Sequence, residues 1–174
     1  MTMRLYELVG ADEARPFSPH CWKARMALAH KGLEFTAVPT RYLEIAGVER
    51  GVSPTLPVLR DGDRVVADSF RIALYLEEAY PERPTLFAGE GGKAMARFIE
   101  GWSQTQLHTV IVAAALLDIH EMLGAEDQAY FRSSREKRYG RKLEQVPVGR
   151  EERLAEFRSR LEPLRSVLKQ QPFI

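Results

Sequence analysis

The chain has a single cysteine, Cys21, among its 174 residues. It therefore forms no internal disulfide and no cysteine-rich zinc site, which fits a reducing compartment. Net charge is also nearly absent: 25 Lys and Arg against 24 Asp and Glu give +1. That balance removes any global electrostatic argument for nucleic acid or an acidic membrane surface as partner. Long hydrophobic runs are missing too. The longest, Val110 to Leu117, falls far short of the roughly 20 residues that span a bilayer. The opening Met1-Thr-Met-Arg-Leu-Tyr-Glu lacks the apolar stretch of a secretory signal, so a cytoplasmic location is expected. His20, His30, His108 and His120 share no ligand spacing, and no metal site is expected. No repeat or low-complexity segment interrupts a composition of 45% hydrophobic and 28% charged residues, ordinary for a globular chain. The length suffices to bury a core as one compact unit or two small ones.

What is present changes texture at about Ala88. Before it, short apolar runs alternate with helical segments; after it, the pattern is helical only. Arg4 to Val9 reads as a strand, followed by a polar loop from Gly10 to Phe17. Ser18-Pro19 opens a helix, serine as N-cap and proline at the first helical position where no N–H is needed, with Gly32 closing it. Leu33 to Val38 reads as a second strand, and Thr40 to Ser53 as a loop around a short helix at Tyr42 to Ala46. Leu56 to Leu59 and Val65 to Ala67 flank Asp61-Gly62, a strong hairpin signal. A helix follows from Ser69, stopped by Pro81 and Pro84. The order βαβ then ββα predicts a mixed four-stranded sheet. Gly89, Gly91 and Gly92 mark a linker. Helices are then predicted over Lys93 to Leu123, with Val110–Leu117 central in a bundle, over Glu126 to Glu144, and over Arg150 to Gln170 with a stripe of Leu154, Phe157, Leu161, Leu164 and Leu168.

Three stations in the first region point to chemistry. Ser18-Pro19-His20-Cys21-Trp22 lies where a helix starts, and the unpaired N–H groups and partial positive charge there favour a thiolate. A serine hydroxyl donates to such a sulfur, so Ser18 suits the activation of a bound thiol rather than attack by its own oxygen. Pro57 heads a strand in which it cannot donate, and a cis Leu56–Pro57 bond would turn the Leu56 backbone toward a peptide-like ligand. Asp68-Ser69 sits at a strand-to-helix junction: Ser69 suits a helix cap and a carboxylate on nearby N–H groups, Asp68 an ammonium. Each also has a plainer reading, as cap or edge proline. Cys21 is expected to be packed, Tyr6 to belong to the core, and the cluster Arg132, Arg135, Lys137, Arg138, Arg141 and Lys142 to be a solvated face. Trp22 and Trp102 suit either a pocket lining, a subunit contact or core packing.

The segments SPHCWKARMALAHKGLEF, TLPVL and ADSFRIALYLEEAYPERPTLF resemble, in order and spacing, the N-terminal domain of cytosolic glutathione S-transferases. The Ser-Pro-x-x-Trp opening, Lys31-Gly32 and SREKRYGRKLEQVPVGREERL look most like the glutathione-dependent β-etherases of bacteria and their fungal relatives. The resemblance implies a thioredoxin-like α/β domain over 1–82 and an all-helical domain over 90–174. It implies glutathione as co-substrate, a small hydrophobic or aromatic electrophile such as an aryl ether, and a homodimer. By the same resemblance Ser18 stabilises the thiolate, Pro57 is the cis-proline, Leu56 pairs with the cysteinyl part of glutathione, and Asp68 and Ser69 hold its γ-glutamyl group. The glycyl carboxylate falls to Arg41 or Arg50 by charge and location alone. The chain is shorter than the family pattern, so the helical domain is expected to be truncated; a non-catalytic module for dimerisation or interaction is the alternative reading.

Overall fold

Residues 2–172 are described by a computed structural model. β1 (Met3–Leu8) alternates as a half-buried strand should, with Met3, Leu5 and Glu7 on one buried face and Arg4, Tyr6 and Leu8 on the other. It pairs parallel with β2 (Phe35–Thr40), reached through α1 (Pro19–His30), and antiparallel with β3 (Val58–Asp61). β4 (Arg64–Ala67) closes the hairpin on β3, and the sheet runs β2-β1-β3-β4. This is the mixed four-stranded, thioredoxin-like arrangement that the sequence order predicts.

The second strand starts two residues later than the sequence suggests. The reason is the helix cap: Gly32 adopts φ 63° and Leu33 donates to the Leu28 carbonyl, so the chain is still closing α1 there. β2 then runs through Pro39, which an edge strand tolerates because one flank of its ladder is unused. The segment Tyr42–Arg50 forms 3₁₀ turns that run further than expected and are broken by a kink at Val48 and Glu49.

Two clusters fill the faces of the sheet. Met3, Leu5, Leu59, Ala24, Ala27, Leu28, Ile72 and Leu76 join β1 and β3 to α1 and α2 (Ser69–Ala79). Cys21, Ile45, Val48, Leu56 and Val58 form the other, with Tyr6 and Leu8 against them. Each fully buried leucine or isoleucine there contributes about 1.5–3 kcal/mol. Lys31, 1% exposed at its side chain, crosses from the end of α1 to Glu77 of α2 at 2.9 Å and donates to the Tyr80 carbonyl. A buried ammonium is tolerated only with such partners.

The helical region departs more from its sequence reading. In place of one helix over Lys93 to Leu123, the chain forms α3 (Glu90–Ser103), a π-helical turn (Gln104–His108), α4 (Thr109–Ala114) and α5 (Leu116–Glu121). The Thr105 hydroxyl bonds back to Gly101 and Trp102 carbonyls and Thr109 back to Thr105, contacts that bend helices, while Arg160 takes the Gln106 carbonyl. At the second break, Arg150 takes the Ala114 carbonyl. The expected central position of Val110–Leu117 is not realised: Leu116 is fully buried but Ile111 is 51% exposed. α6 (Ala125–Tyr139) ends at Gly140 in the left-handed region, earlier than the charge pattern suggests. The final helix is divided into α7 (Leu154–Arg160) and α8 (Glu162–Leu168), parted at Leu161 before Pro163. Its stripe is only partly covered, Leu154 and Leu168 being about half exposed.

One apolar cluster joins the helical region to the first region. Leu116, Leu123, Phe131, Leu143 and Val146 pack against Phe17 and Tyr42 of the first region. Asp127, 3% exposed, accepts from the Tyr42 and Leu43 N–H groups at 3.3 and 3.1 Å, capping the 3₁₀ turn from across the interface. Gly10 passes so close that a Cβ there would lie 2.3 Å from the Met122 carbonyl oxygen, which the next residue's N–H engages at 2.9 Å.

Candidate functional site

The N-termini of α1 and α2 meet at the Leu56–Pro57 corner. Ser18, 7% exposed, is the N-cap of α1, and its Oγ accepts from the Cys21 N–H at 3.4 Å. The hydroxyl keeps its own hydrogen for donation, and the Cys21 sulfur one turn on is an acceptor for it. Cys21, one turn on, packs with Leu56 and Val58, so the start of α1 lies against the head of β3. The Leu56–Pro57 peptide is cis. Ladder pairing to β1 begins only at Val58, and among the described residues no hydrogen bond engages the Leu56 N–H or carbonyl. Asp68 donates its N–H to the Pro57 carbonyl at 3.3 Å, which ties the start of α2 to the same corner.

At that start the structure changes one assignment. Asp68, not Ser69, is the N-cap: its Oδ1 accepts from the Phe70 and Arg71 N–H groups, both at 3.0 Å. Asp68 holds φ 79°, a left-handed conformation uncommon for a residue with a side chain and typical of functional corners. Ser69 is 4% exposed, and its hydroxyl is buried without a hydrogen-bond partner among the described residues. An orphaned hydroxyl at a helix N-terminus, on the residue whose own N–H is the one left uncapped by Asp68, is suited to a carboxylate.

Ser18, Leu56, Pro57, Asp68 and Ser69 are thus brought to one corner, and Arg41 is not joined to them by any hydrogen bond or ion pair among the described residues. It stands at the head of the 3₁₀ stretch, and its guanidinium holds Glu13 at 2.8 Å. Arg50 is exposed at the other end of that stretch, with φ 62°. Cys21 is fully buried and its sulfur accepts from the Leu8 N–H at 3.4 Å. Burial pushes its thiol pKa up, partly offset by hydrogen bonds from Leu8 and Ser18, so it is a packed thiol and no nucleophile. Tyr6 donates to Glu49 at 2.5 Å, and burial and that carboxylate both raise its pKa, which disfavours the phenolate. Trp22 is not in the core: it is 45% exposed, donates to the Pro16 carbonyl at 2.8 Å and lies under the Arg25 guanidinium. The basic cluster of α6 is not wholly solvated either, since Arg135 lies over the Tyr42 and Phe131 rings.

Sequence spacing misses a further group. His20 of α1 and His108 of the π-helical turn come together with ring centroids 5.1 Å apart. Lys23 and Glu100 form an ion pair of 2.9 Å between α1 and α3 in the same neighbourhood. Burial, then Lys23 and His108, lower the His20 pKa against a smaller upward pull from Glu100 and Asp68; burial, Lys23 and Arg138 lower that of His108. Both imidazoles are therefore neutral near pH 7. No sequence signal could have joined them, because the two residues lie in different regions and meet only through the docking of one on the other. Two cavities of about 340 and 370 Å³ in the helical region, which share Val110, Arg153 and Phe157, are lined by none of these residues.

Comparison with known proteins identifies the family. Residues 14–84 match the family described as glutathione S-transferase, N-terminal domain, and residues 94–174 the one described as glutathione S-transferase, C-terminal domain. Among curated proteins, Glutathione S-transferase Z1 of Arabidopsis thaliana is 42% identical over 69 residues, which is 37% of this chain and only 31% of that relative. Among solved structures, a glutathione transferase of Phanerochaete chrysosporium superposes with TM-score 0.86 at 28% identity, over 98% of this chain and 73% of that one. A glutathione S-transferase of Ceriporiopsis subvermispora, solved in complex with glutathione, gives TM-score 0.83 at 26% identity, over 98% and 75%. With adjoining matches to both domains and a shared fold over nearly its whole length, the chain belongs to the glutathione S-transferase superfamily.

Proposed function

We propose that this protein is a glutathione transferase that ionises the glutathione thiol beside Ser18 for attack on a small hydrophobic electrophile. The observation that carries the reading is the corner itself. The unpaired Leu56 backbone, the orphaned Ser69 hydroxyl and the Ser18 hydroxyl, which can turn its hydrogen from the Cys21 sulfur to a bound thiol, lie where two helix N-termini begin.

In this reading Leu56 pairs with the cysteinyl backbone of glutathione, the hydroxyl and backbone N–H of Ser69 receive the γ-glutamyl carboxylate, and the free oxygen of Asp68 receives its ammonium. The cap role of Asp68 fits, because it uses only Oδ1. Arg41 is assigned the glycyl carboxylate on charge and location, and would exchange Glu13 for it. The dipole of α1 and a hydrogen bond from Ser18 favour the thiolate, and thiols in such settings have pKa values of about 3.5–7.5 against about 8.5 unperturbed. An aryl ether is the proposed electrophile class, a homodimer the proposed assembly and the cytoplasm the proposed location. Serine at position 18 supports conjugation or ether cleavage over disulfide exchange, because serine forms no mixed disulfide.

The test is Ser18→Ala. Turnover with glutathione and a reactive electrophile should fall sharply, about 10²-fold or more if one activating hydrogen bond is lost, while calorimetric uptake of glutathione stays close to wild type. Unchanged turnover would remove Ser18 from the chemistry.

A further inference from the structure

The reading above leaves unused the polar group where the helical region faces α1. His20 stands two residues beyond Ser18, in the first turn of α1, and His108 faces it from the π-helical turn at a centroid distance of 5.1 Å, inclined by 65°. Both rings are half-buried, and no hydrogen bond engages either among the described residues. Such π-helical turns are rare and concentrate at functional sites. Beside them, Glu100 spends one carboxylate oxygen on Lys23, while the other is buried with no hydrogen-bond partner among the described residues. Asp68, of the glutathione corner, contributes to the field at His20. A buried carboxylate oxygen without a partner is costly in a folded protein, and the two half-buried imidazoles near it have ring nitrogens free to bond a ligand.

We propose that His20 and His108 form the polar end of the electrophile site, their ring N–H groups donating hydrogen bonds to the electrophile oxygen that gains negative charge when its carbon–oxygen bond breaks. This rests on the thiol-activation reading. Sulfur forms a bond to carbon, the carbon–oxygen bond breaks, and its electron pair leaves on oxygen as an aryloxide, which later takes a proton from solvent. The imidazoles are neutral, so they donate hydrogen bonds without giving up a proton, and their effect is greatest when the oxygen is most anionic. The class of substrate selected is therefore an aromatic ether, in preference to a halide of similar size.

Two electrophiles with one skeleton test this: phenacyl phenyl ether, which expels phenoxide, and phenacyl chloride, which expels chloride. His108→Phe should lower kcat/KM for the ether tenfold or more and for the chloride no more than about twofold. His108→Gln, which keeps an N–H donor and guards against a folding defect, should restore most of the loss. Equal losses on both compounds, or no loss on either, would overturn the inference. Its second measurement needs no turnover: phenol added to the wild-type chain should shift the ring proton resonances of both histidines in NMR spectra. If glutathione is taken up and ionised but phenol moves neither resonance, the histidine assignment fails alone. If glutathione is not taken up at all, the Ser18 reading fails, and the phenol titration still decides the histidines.

Discussion

The two halves of the molecule are built to different standards of closure. In the first, α1 and α2 are capped by side chains, Ser18 and Asp68, and two clusters fill both faces of the sheet. In the second, the cluster of Leu116, Leu123, Phe131, Leu143 and Val146 completes itself by borrowing Phe17 and Tyr42, and none of α3 to α8 has a side-chain N-cap. The sheet region holds the candidate chemistry rigidly, and the helical region shapes one side of it while depending on the sheet region for part of its own core.

The sharpest way to break this comparison is to hollow both halves. Ile72→Ala, at a fully buried position between helix and sheet, should cost about 2–5 kcal/mol by chemical denaturation. Leu154→Ala, at a site 48% exposed, should cost under about 1 kcal/mol. Similar costs would show that the halves are equally closed. Next comes Asp127→Ala, which strips the Tyr42 and Leu43 N–H groups of their buried acceptor. About 1.5–3 kcal/mol should be lost, and hydrogen exchange at those two amides should accelerate; if their protection is unchanged, the carboxylate does not join the halves.

A smaller effect concerns acid. Burial works to raise the Glu77 pKa, but hydrogen bonds from the Thr85 hydroxyl, the Leu86 N–H and Lys31, with the Lys31 charge, outweigh it and bring the group from 4.5 down to about 2. A depressed folded-state pKa means the stabilisation is full above the unfolded-chain value, about 4.3, and drains away as pH falls toward 2. Glu77→Gln should flatten the loss of stability across that window, and an unaltered acid profile would refute it. Smallest is Arg132→Ala: its pairs with Glu136 and Glu144 are open to solvent, so the denaturation midpoint should not move measurably.

Legibility in the sequence follows the same division. Local rules placed Ser18-Pro19, Asp61-Gly62 and the end of α2 because capping, turn and proline chemistry act within a few residues. Ser69 was the natural cap by composition, yet Asp68 took the role because its left-handed backbone swings the carboxylate over the first N–H groups of α2. The breaks at Gln104 and Ala115 were not legible, since the carbonyls there are claimed by Arg160 and Arg150 from far along the chain. His20 with His108 was hidden for the same reason. Ser18, Leu56, Pro57, Asp68 and Ser69 were readable as a set only because three separate motifs fall on one edge of a single fold.

The central claim is that a thiol bound beside Ser18 gives up its proton more readily than in water. Ultraviolet titration of glutathione bound to the wild-type chain and to Ser18→Ala measures this directly. The account predicts a bound thiol pKa well below that of free glutathione in the wild type, rising toward the free value in the variant. Bound glutathione that titrates in both proteins as it does in buffer would contradict it.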